Sequence, residues 1–207
     1  MALVETAIVV HLRNIYYAAD PLALFPLRLL SAPDLRLELA REAATLVMIL
    51  AVAIAAERGA VRVAAAFAYM FGVWDIFYYA WLRVFIGWPV GALEWDVLFL
   101  IPWPWFGPWI TPAAVAGLMV LCGGWLLAST RSHRFTATAL AVGGAGVALV
   151  LAAFLEPGYH LIAGGPQAFA GFQPGVFAWI LFLPGYVLML AGAALVIRSG
   201  RPAIWSV

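Results

Sequence analysis

Asp75 is the residue of this sequence that most clearly suggests chemistry, because it lies in an apolar and aromatic run, 63–82, that is long enough to cross a bilayer. An ionisable group at membrane depth costs about 2.5–3.5 kcal/mol on insertion scales and by default marks a polar site inside a protein. On a helix, Asp75, Tyr79 and Arg83 share one face at four-residue spacing, with Tyr78 beside them. Asp75 is therefore either a structural carboxylate held by hydrogen bonds or part of the lining of a functional cavity.

A partner for Asp75 is predicted from helix geometry. Asp75 lies thirteen residues after Arg62, about 20 Å along a helix, and Arg41 lies seventeen residues before Arg58, about 25 Å. If the two helices are antiparallel neighbours joined near Arg58, the guanidinium group of Arg41 can reach the Asp75 carboxylate. The sequence therefore predicts a buried Arg41–Asp75 ion pair.

Four further ionisable residues are expected at the same membrane level. Glu94 and Asp96 are two residues apart, and Glu156 and His160 flank a Pro-Gly-Tyr sequence that a turn could fold. They could supply oxygen and imidazole ligands, but they do not form a metal-binding motif such as Glu-x-x-His, and we predict no metal site. The predicted polar pocket consists of Arg41, Asp75, Tyr78, Tyr79, Arg83, Glu94, Asp96, Glu156 and His160.

The segment 91–112 is rich in tryptophan and proline. Four prolines lie at 102, 104, 108 and 112, and this density cannot sustain a helix. We expect a short helix at 91–101 followed by an irregular aromatic loop at the membrane interface. Its large aromatic residues have two interpretations. They form a belt at the membrane interface, or they form a docking surface or the wall of a lipid or quinone site. They are Trp103, Trp105, Phe106 and Trp109.

The composition places these residues in a membrane protein. Of the 207 residues, 66% are hydrophobic and 10% are charged, and the mean hydropathy is +1.02, far from the values of soluble domains. All eleven basic residues are Arg, so no lysine of this chain can form a Schiff base with a cofactor. No basic run is present, which argues against a nucleic-acid partner.

We predict an all-α integral membrane protein with about five transmembrane helices. Residues 1–31 form an amphipathic interfacial segment, and residues 32–201 form a single transmembrane domain. Ser31 and Asp34 have the spacing of a helix cap, so the first long helix should begin near residue 32. Arg41 and Glu42 must then enter the membrane edge or the bundle. The predicted spans are 38–57, 61–86, 113–128, 136–155 and 176–197, with a kink near Pro184 in the last.

The arginines predict the orientation. Six of them fall on one side of a five-span topology: Arg58, Arg62, Arg131, Arg134, Arg198 and Arg201. By the positive-inside rule this side is cytoplasmic, which places the N-terminus outside and the C-terminus inside, in a bacterial cytoplasmic membrane. In the fourth span, small residues repeat every four positions, which suits close contact with another helix of this chain or of a partner. They are Ala137, Ala141 and Ala145, and separately Gly144 and Ala148.

Three functions remain open. The absence of a catalytic signature favours a non-catalytic subunit or scaffold of a membrane complex, in contact with lipid and with other subunits or copies of itself. The alternatives are a proton- or cation-coupled transporter or channel that uses Asp75, and an intramembrane enzyme acting on a lipid or quinone at the outer leaflet. No motif indicates a cofactor, although a lipid or quinone could bind.

Overall fold

The computed structural model describes residues 1–162 and 164–202. The protein contains helices α1 (Ala2–Tyr16), α2 (Ala32–Ala56), α3 (Ala60–Ile86), α4 (Ile110–Ala128), α5 (Ala137–Ile162), α6 (Gly165–Phe169) and α7 (Trp179–Arg198), with strands β1 (Trp95–Phe99) and β2 (Trp105–Pro108) between α3 and α4. Five of these helices, α2, α3, α4, α5 and α7, are long and apolar enough to cross a membrane. The expectation of a mainly helical protein with five helices of this kind is therefore confirmed.

The ends of α2 and α3 follow the predicted signals, whereas α4 begins at Ile110 rather than at 113 and α7 begins at Trp179 rather than at 176. The Ser31 hydroxyl accepts a hydrogen bond from the Asp34 amide at 3.3 Å, and α2 begins at Ala32. Helix α5, however, does not end at residue 155. It continues through Pro157 to Ile162, and Gly158 lies directly against the Pro104 carbonyl. The extra turns pack against the strand region, which accounts for a helix that its internal proline disfavours.

The predicted short helix at 91–101 and the irregular loop after it are wrong, and the fold is not purely α-helical. Strands β1 and β2 form an antiparallel hairpin in which Asp96 pairs with Gly107 and Val97 with Phe106. Aromatic and β-branched residues suit the pleated, half-buried surface that β1 provides. Prolines 102 and 104 lie in the connection, where a strand ladder needs no amide donor.

Helices α5 and α7 approach each other through glycine. A Cβ atom on Gly146 would lie 2.5 Å from the Met189 amide nitrogen, and one on Gly192 would lie 2.5 Å from the Gly143 Cα atom. The predicted stripe does not form this contact, because Ala137, Ala141, Gly144, Ala145 and Ala148 are all exposed. The face with Gly143 and Gly146 packs within the chain because it brings the two backbones closest together.

The two ends of the bundle differ in composition. At one end, the Ser132 and Arg201 backbones pair at 3.0 Å, and Arg62 donates to the Leu127 carbonyl at 3.4 Å. The six arginines of the predicted cytoplasmic side are gathered at this end. The opposite end carries α1, the hairpin and the segments on either side of Leu27 and Phe172, which are joined by a 2.9 Å backbone hydrogen bond.

Candidate functional site

A cavity of about 530 Å³ lies at the hairpin end of the bundle. Its walls come from α1, α2, α3 and the hairpin, and from the segments around Leu27 and Pro166. Much of the lining is apolar and includes Leu24, Leu27, Leu30, Leu35, Leu39 and Ile162. The cavity is thus a mainly apolar chamber that also receives most of the buried charge of the chain.

Eight charged residues line this cavity. Five carboxyl groups and three guanidinium groups reach it, a formal excess of two negative charges if all are ionised. The acidic residues are Glu5, Glu38, Glu42, Asp75 and Asp96, and the basic residues are Arg13, Arg28 and Arg41. Charges are rarely buried without partners, so the pairing of each group determines what the site can bind.

Arg41 pairs with two glutamates and not with Asp75. Its Nη1 atom lies 2.6 Å from Glu5 Oε1, and its Nη2 atom lies 2.5 Å from Glu38 Oε1. The predicted Arg41–Asp75 ion pair is therefore wrong, although both side chains line the same cavity as their helix depths suggested. Positions along α2 and α3 alone do not reveal this pairing, because α1 brings Glu5 to the guanidinium group of Arg41. Burial raises the pKa of Glu5, while Arg41 opposes the change.

Arg13 and Asp96 form the most deeply buried ion pair of the site. Arg13 Nη2 lies 3.2 Å from Asp96 Oδ1, and each side chain is only 3% exposed. The guanidinium carbon lies 4.3 Å from the centre of the Trp88 ring, a cation–π contact. Burial raises the pKa of Asp96 to about 6, against the opposing effects of Arg13, the Val97 amide and the Tyr79 hydroxyl. This pair joins α1 to the hairpin.

Glu42 fixes the hairpin to α2. Both of its carboxylate oxygens accept from the Leu100 amide, at 3.1 and 3.0 Å, and the residue is only 4% exposed. Hydrogen bonds to an ionised acceptor are stronger than neutral ones, and the amide of a residue just beyond β1 would otherwise lack a partner. The expectation that Arg41 and Glu42 enter the bundle is confirmed.

Asp75 lines the cavity with its carboxylate uncompensated. Within the described part of the chain, it makes no ion pair or hydrogen bond, and the charges that act on it are the carboxylates of Asp96 and Glu5. Trp74 and Tyr78 are its neighbours on the cavity side of α3, and Tyr79 lines the cavity as well. Asp75 is thus a hydrogen-bond acceptor in the lining of the cavity without a partner among the described residues.

The other four members of the predicted pocket serve local structure elsewhere. Arg83 caps the end of α3 by donating to the carbonyls of Gly87 and Pro89. Glu94 accepts from the amides of Val90 and Gly91 at 2.9 and 2.8 Å and so closes the turn before β1. The single pocket that included them is wrong, because these contacts satisfy them outside the cavity.

Glu156 and His160 are close together but lie on the surface. His160 Nε2 is 3.0 Å from Glu156 Oε1, and the two side chains are 68% and 45% exposed, respectively. They meet as neighbours one turn apart on α5, not across the predicted turn, because the helix continues through Pro157. Neither residue lines the cavity.

The aromatic residues of the hairpin mostly face inward. Phe106 is completely buried between Phe25 and Phe172, so it cannot belong to a docking surface. The Trp103 indole donates to the Leu155 carbonyl at 3.2 Å, and Trp103 also lines the cavity. Trp105 stacks on Phe154, and Trp109 donates to the Gly91 carbonyl. The segment forms part of a cavity wall and of the core.

The pocket predicted from the sequence did not include five charged residues of this cavity: Glu5, Arg13, Arg28, Glu38 and Glu42. A signal was present in α2, where Glu38 and Glu42 occupy one face at four-residue spacing beside Arg41. For Arg13 the sequence gives no comparable signal, because its partner Asp96 is 83 residues away along the chain.

Among residues 1–162 and 164–202, no three His, Cys, Asp or Glu side chains are placed so that they could together hold a metal ion. Compared with models of known protein families, with curated proteins and with solved structures, the chain matches none. The cavity is therefore the feature of the protein that bears most directly on its function.

Proposed function

We propose that this protein binds a lipid-sized amphipathic molecule in the cavity at the hairpin end of its transmembrane bundle. The observation that carries the proposal is the cavity itself, about 530 Å³ in volume, with leucine-rich walls and several charged side chains in its lining. Binding sites for small molecules typically occupy about 300–1,000 Å³, with mostly apolar linings and a few placed polar groups. Ligand binding is also the first step that a carrier or a lipid-modifying enzyme would need.

The polar groups support a binding role over a purely structural one. An ionisable group without a partner at membrane depth is costly, and Asp75 lines the cavity without one among the described residues. A structural role would be better served by the pairing that Glu42 achieves with the hairpin backbone. The unpaired carboxyl group of Asp75 is available to form a hydrogen bond or an ion pair with a ligand.

Filling the cavity tests the proposal. We expect decanol to raise the unfolding temperature of the wild-type protein in nanodiscs in a saturable manner, and Leu39→Trp to abolish the effect because the indole occupies the cavity. The matched control is Leu50→Trp, on the same helix at a position 45% exposed on the outer surface, which should respond as wild type does. An equal decanol response in Leu39→Trp and wild type would contradict the proposal.

In its proposed orientation the arginine-rich end faces the cytoplasm and the cavity opens toward the outer side of a bacterial cytoplasmic membrane. The positive-inside rule supports this assignment, because the six arginines share one end of the bundle.

Cysteine labelling tests the orientation. Cys122 is the only cysteine, so Cys122→Ala provides a background in which single cysteines at Ser132 and Gln173 report on the two ends. We expect an impermeant thiol reagent added to intact cells to label Gln173→Cys and not Ser132→Cys. The reverse pattern would refute the proposed orientation.

A second candidate function is that of a subunit in a membrane complex or homo-oligomer. The observation that favours it is the exposed stripe of small residues on α5, since such stripes allow helices from different chains to approach closely. Replacement of Ala141 by Leu should then reduce crosslinking to copies of this chain or to other subunits, without reducing decanol binding.

A further inference from the structure

The charge balance of the cavity limits the kind of ligand it can hold. Three guanidinium groups face five carboxyl groups, and Arg41 already serves both Glu5 and Glu38. In a low-dielectric site, an uncompensated negative charge must be neutralised by a proton or by a cation. An anionic headgroup would add to the imbalance.

Two carboxyl groups among the lining residues of the cavity retain free acceptor capacity. Asp75 has no partner within the described residues, and Asp96, only 2% exposed, has an Oδ2 atom without a hydrogen-bond partner in the same part of the chain. Both groups belong to the lining of the same cavity. A donor with a positive charge would satisfy both and reduce their mutual repulsion.

Aromatic rings stand beside these acceptors. Trp74 and Tyr78 flank Asp75 on α3, and Tyr79 lines the same wall. The faces of such rings attract ammonium groups, and a desolvated site strengthens the attraction. Carboxylates combined with aromatic faces suit an organic ammonium ion better than a neutral hydroxyl or a carbonyl.

We infer that the ligand of this cavity is an amphipathic organic cation, whose ammonium group is bound by Asp75 and Asp96 and whose hydrocarbon chain lies among Leu27, Leu35, Leu39 and Ile162. This inference rests on the proposed function and adds the chemical class of the ligand. The apolar walls suit the hydrocarbon chain of such a ligand, and the unpaired carboxyl groups suit its ammonium group.

Three probes with the same ten-carbon chain and different heads test the inference: decyltrimethylammonium, decanol and decyl sulfate. Each is titrated into the protein in zwitterionic nanodiscs, and the saturation of the unfolding temperature gives an apparent Kd. We expect the cation to bind at least about tenfold more tightly than decanol, a factor that corresponds to about 1.4 kcal/mol, and decyl sulfate to bind more weakly than both.

Asp75→Asn is the decisive variant. It should weaken binding of the cation by at least about tenfold more than it weakens binding of decanol, since the amide removes the charge but keeps a hydrogen-bonding group. Glu156→Gln removes an exposed carboxylate outside the cavity and should change neither Kd. Asp75→Glu keeps the charge and should retain the preference for the cation, which provides a second measurement if Asp75→Asn does not fold.

The outcomes separate the inference from the proposed function. If decanol binds as tightly as the cation, or if Asp75→Asn retains the preference, the inferred ligand class is wrong. When Leu39→Trp nevertheless blocks all three probes, ligand binding in the cavity stands. If Leu39→Trp blocks none of them, the proposed function itself is wrong.

Discussion

Replacement of Arg13 by Met is expected to lower the free energy of unfolding by about 3–5 kcal/mol, the cost of breaking a buried ion pair. The change leaves Asp96 buried beside Asp75 without its only cationic partner among the described residues. Thermal or denaturant unfolding in mild detergent measures the loss. Arg36→Met, at an exposed position on α2, is the matched control and should change stability little.

A double-mutant cycle identifies the source of this loss. Arg13→Met combined with Asp96→Leu should be more stable than Arg13→Met alone, because the uncompensated charge is removed together with its partner. Two losses that simply add would show that the residues do not interact energetically.

The loss of unfolding free energy in Arg13→Met is expected to increase with pH. The pKa of Asp96 is raised to about 6 in the folded protein. Its contribution to the free energy of unfolding is therefore fully present at low pH and is lost as the pH rises through 6. Without Arg13 the pKa rises further, and the defect of Arg13→Met should therefore be larger at pH 8 than at pH 5. In an Asp96→Asn background this difference should disappear, since the other carboxyl groups are common to both proteins.

Gly146→Ala is expected to destabilise the protein by at least about 1–3 kcal/mol, as overpacking of a tight contact does. The new methyl group would lie 2.5 Å from the Met189 nitrogen and 2.7 Å from the Gly185 oxygen. Both are backbone atoms, so α5 and α7 must separate, and a valine should cost more than an alanine. The unfolding free energy in mixed micelles measures the effect.

Gly144→Ala provides a control of opposite sign in the same helix. No atom lies within 4 Å of the new methyl group, and alanine favours a helix over glycine by about 0.5–1 kcal/mol. This variant should therefore be slightly stabilised. Equal effects of the two substitutions would mean that the glycine contact does not determine the packing of α5 on α7.

The sequence was informative where one local signal determines the structure. The apolar runs predicted the five candidate spans, and Ser31 predicted the start of α2 because a cap depends only on residues within one turn. Asp75 was correctly expected to be exceptional, since the cost of a carboxylate in an apolar run is a property of the run itself. Asp75 does line a cavity, and a functional role for that cavity stays a prediction.

The sequence was misleading where the outcome depends on a distant segment. The partner of Arg41 is Glu5 because α1 packs into the bundle, and helix depth alone cannot reveal that contact. The strand Trp95–Phe99 exists because Trp105–Pro108 pairs with it, although a helix also fits its sequence. Helix α5 has small residues on more than one face, so spacing alone could not distinguish the packed face from the exposed one.

The backbone bonds of Leu27 tie an early part of the chain to a late one. Its amide donates to the Phe172 carbonyl, and its carbonyl accepts from the Gly171 amide. At the usual rates of protein synthesis, on the order of ten seconds separate these segments as they leave the ribosome. During that interval the cavity lacks part of its wall. A nascent chain therefore completes the wall of the cavity only after four of its long helices have been synthesised and the connection to the fifth has emerged.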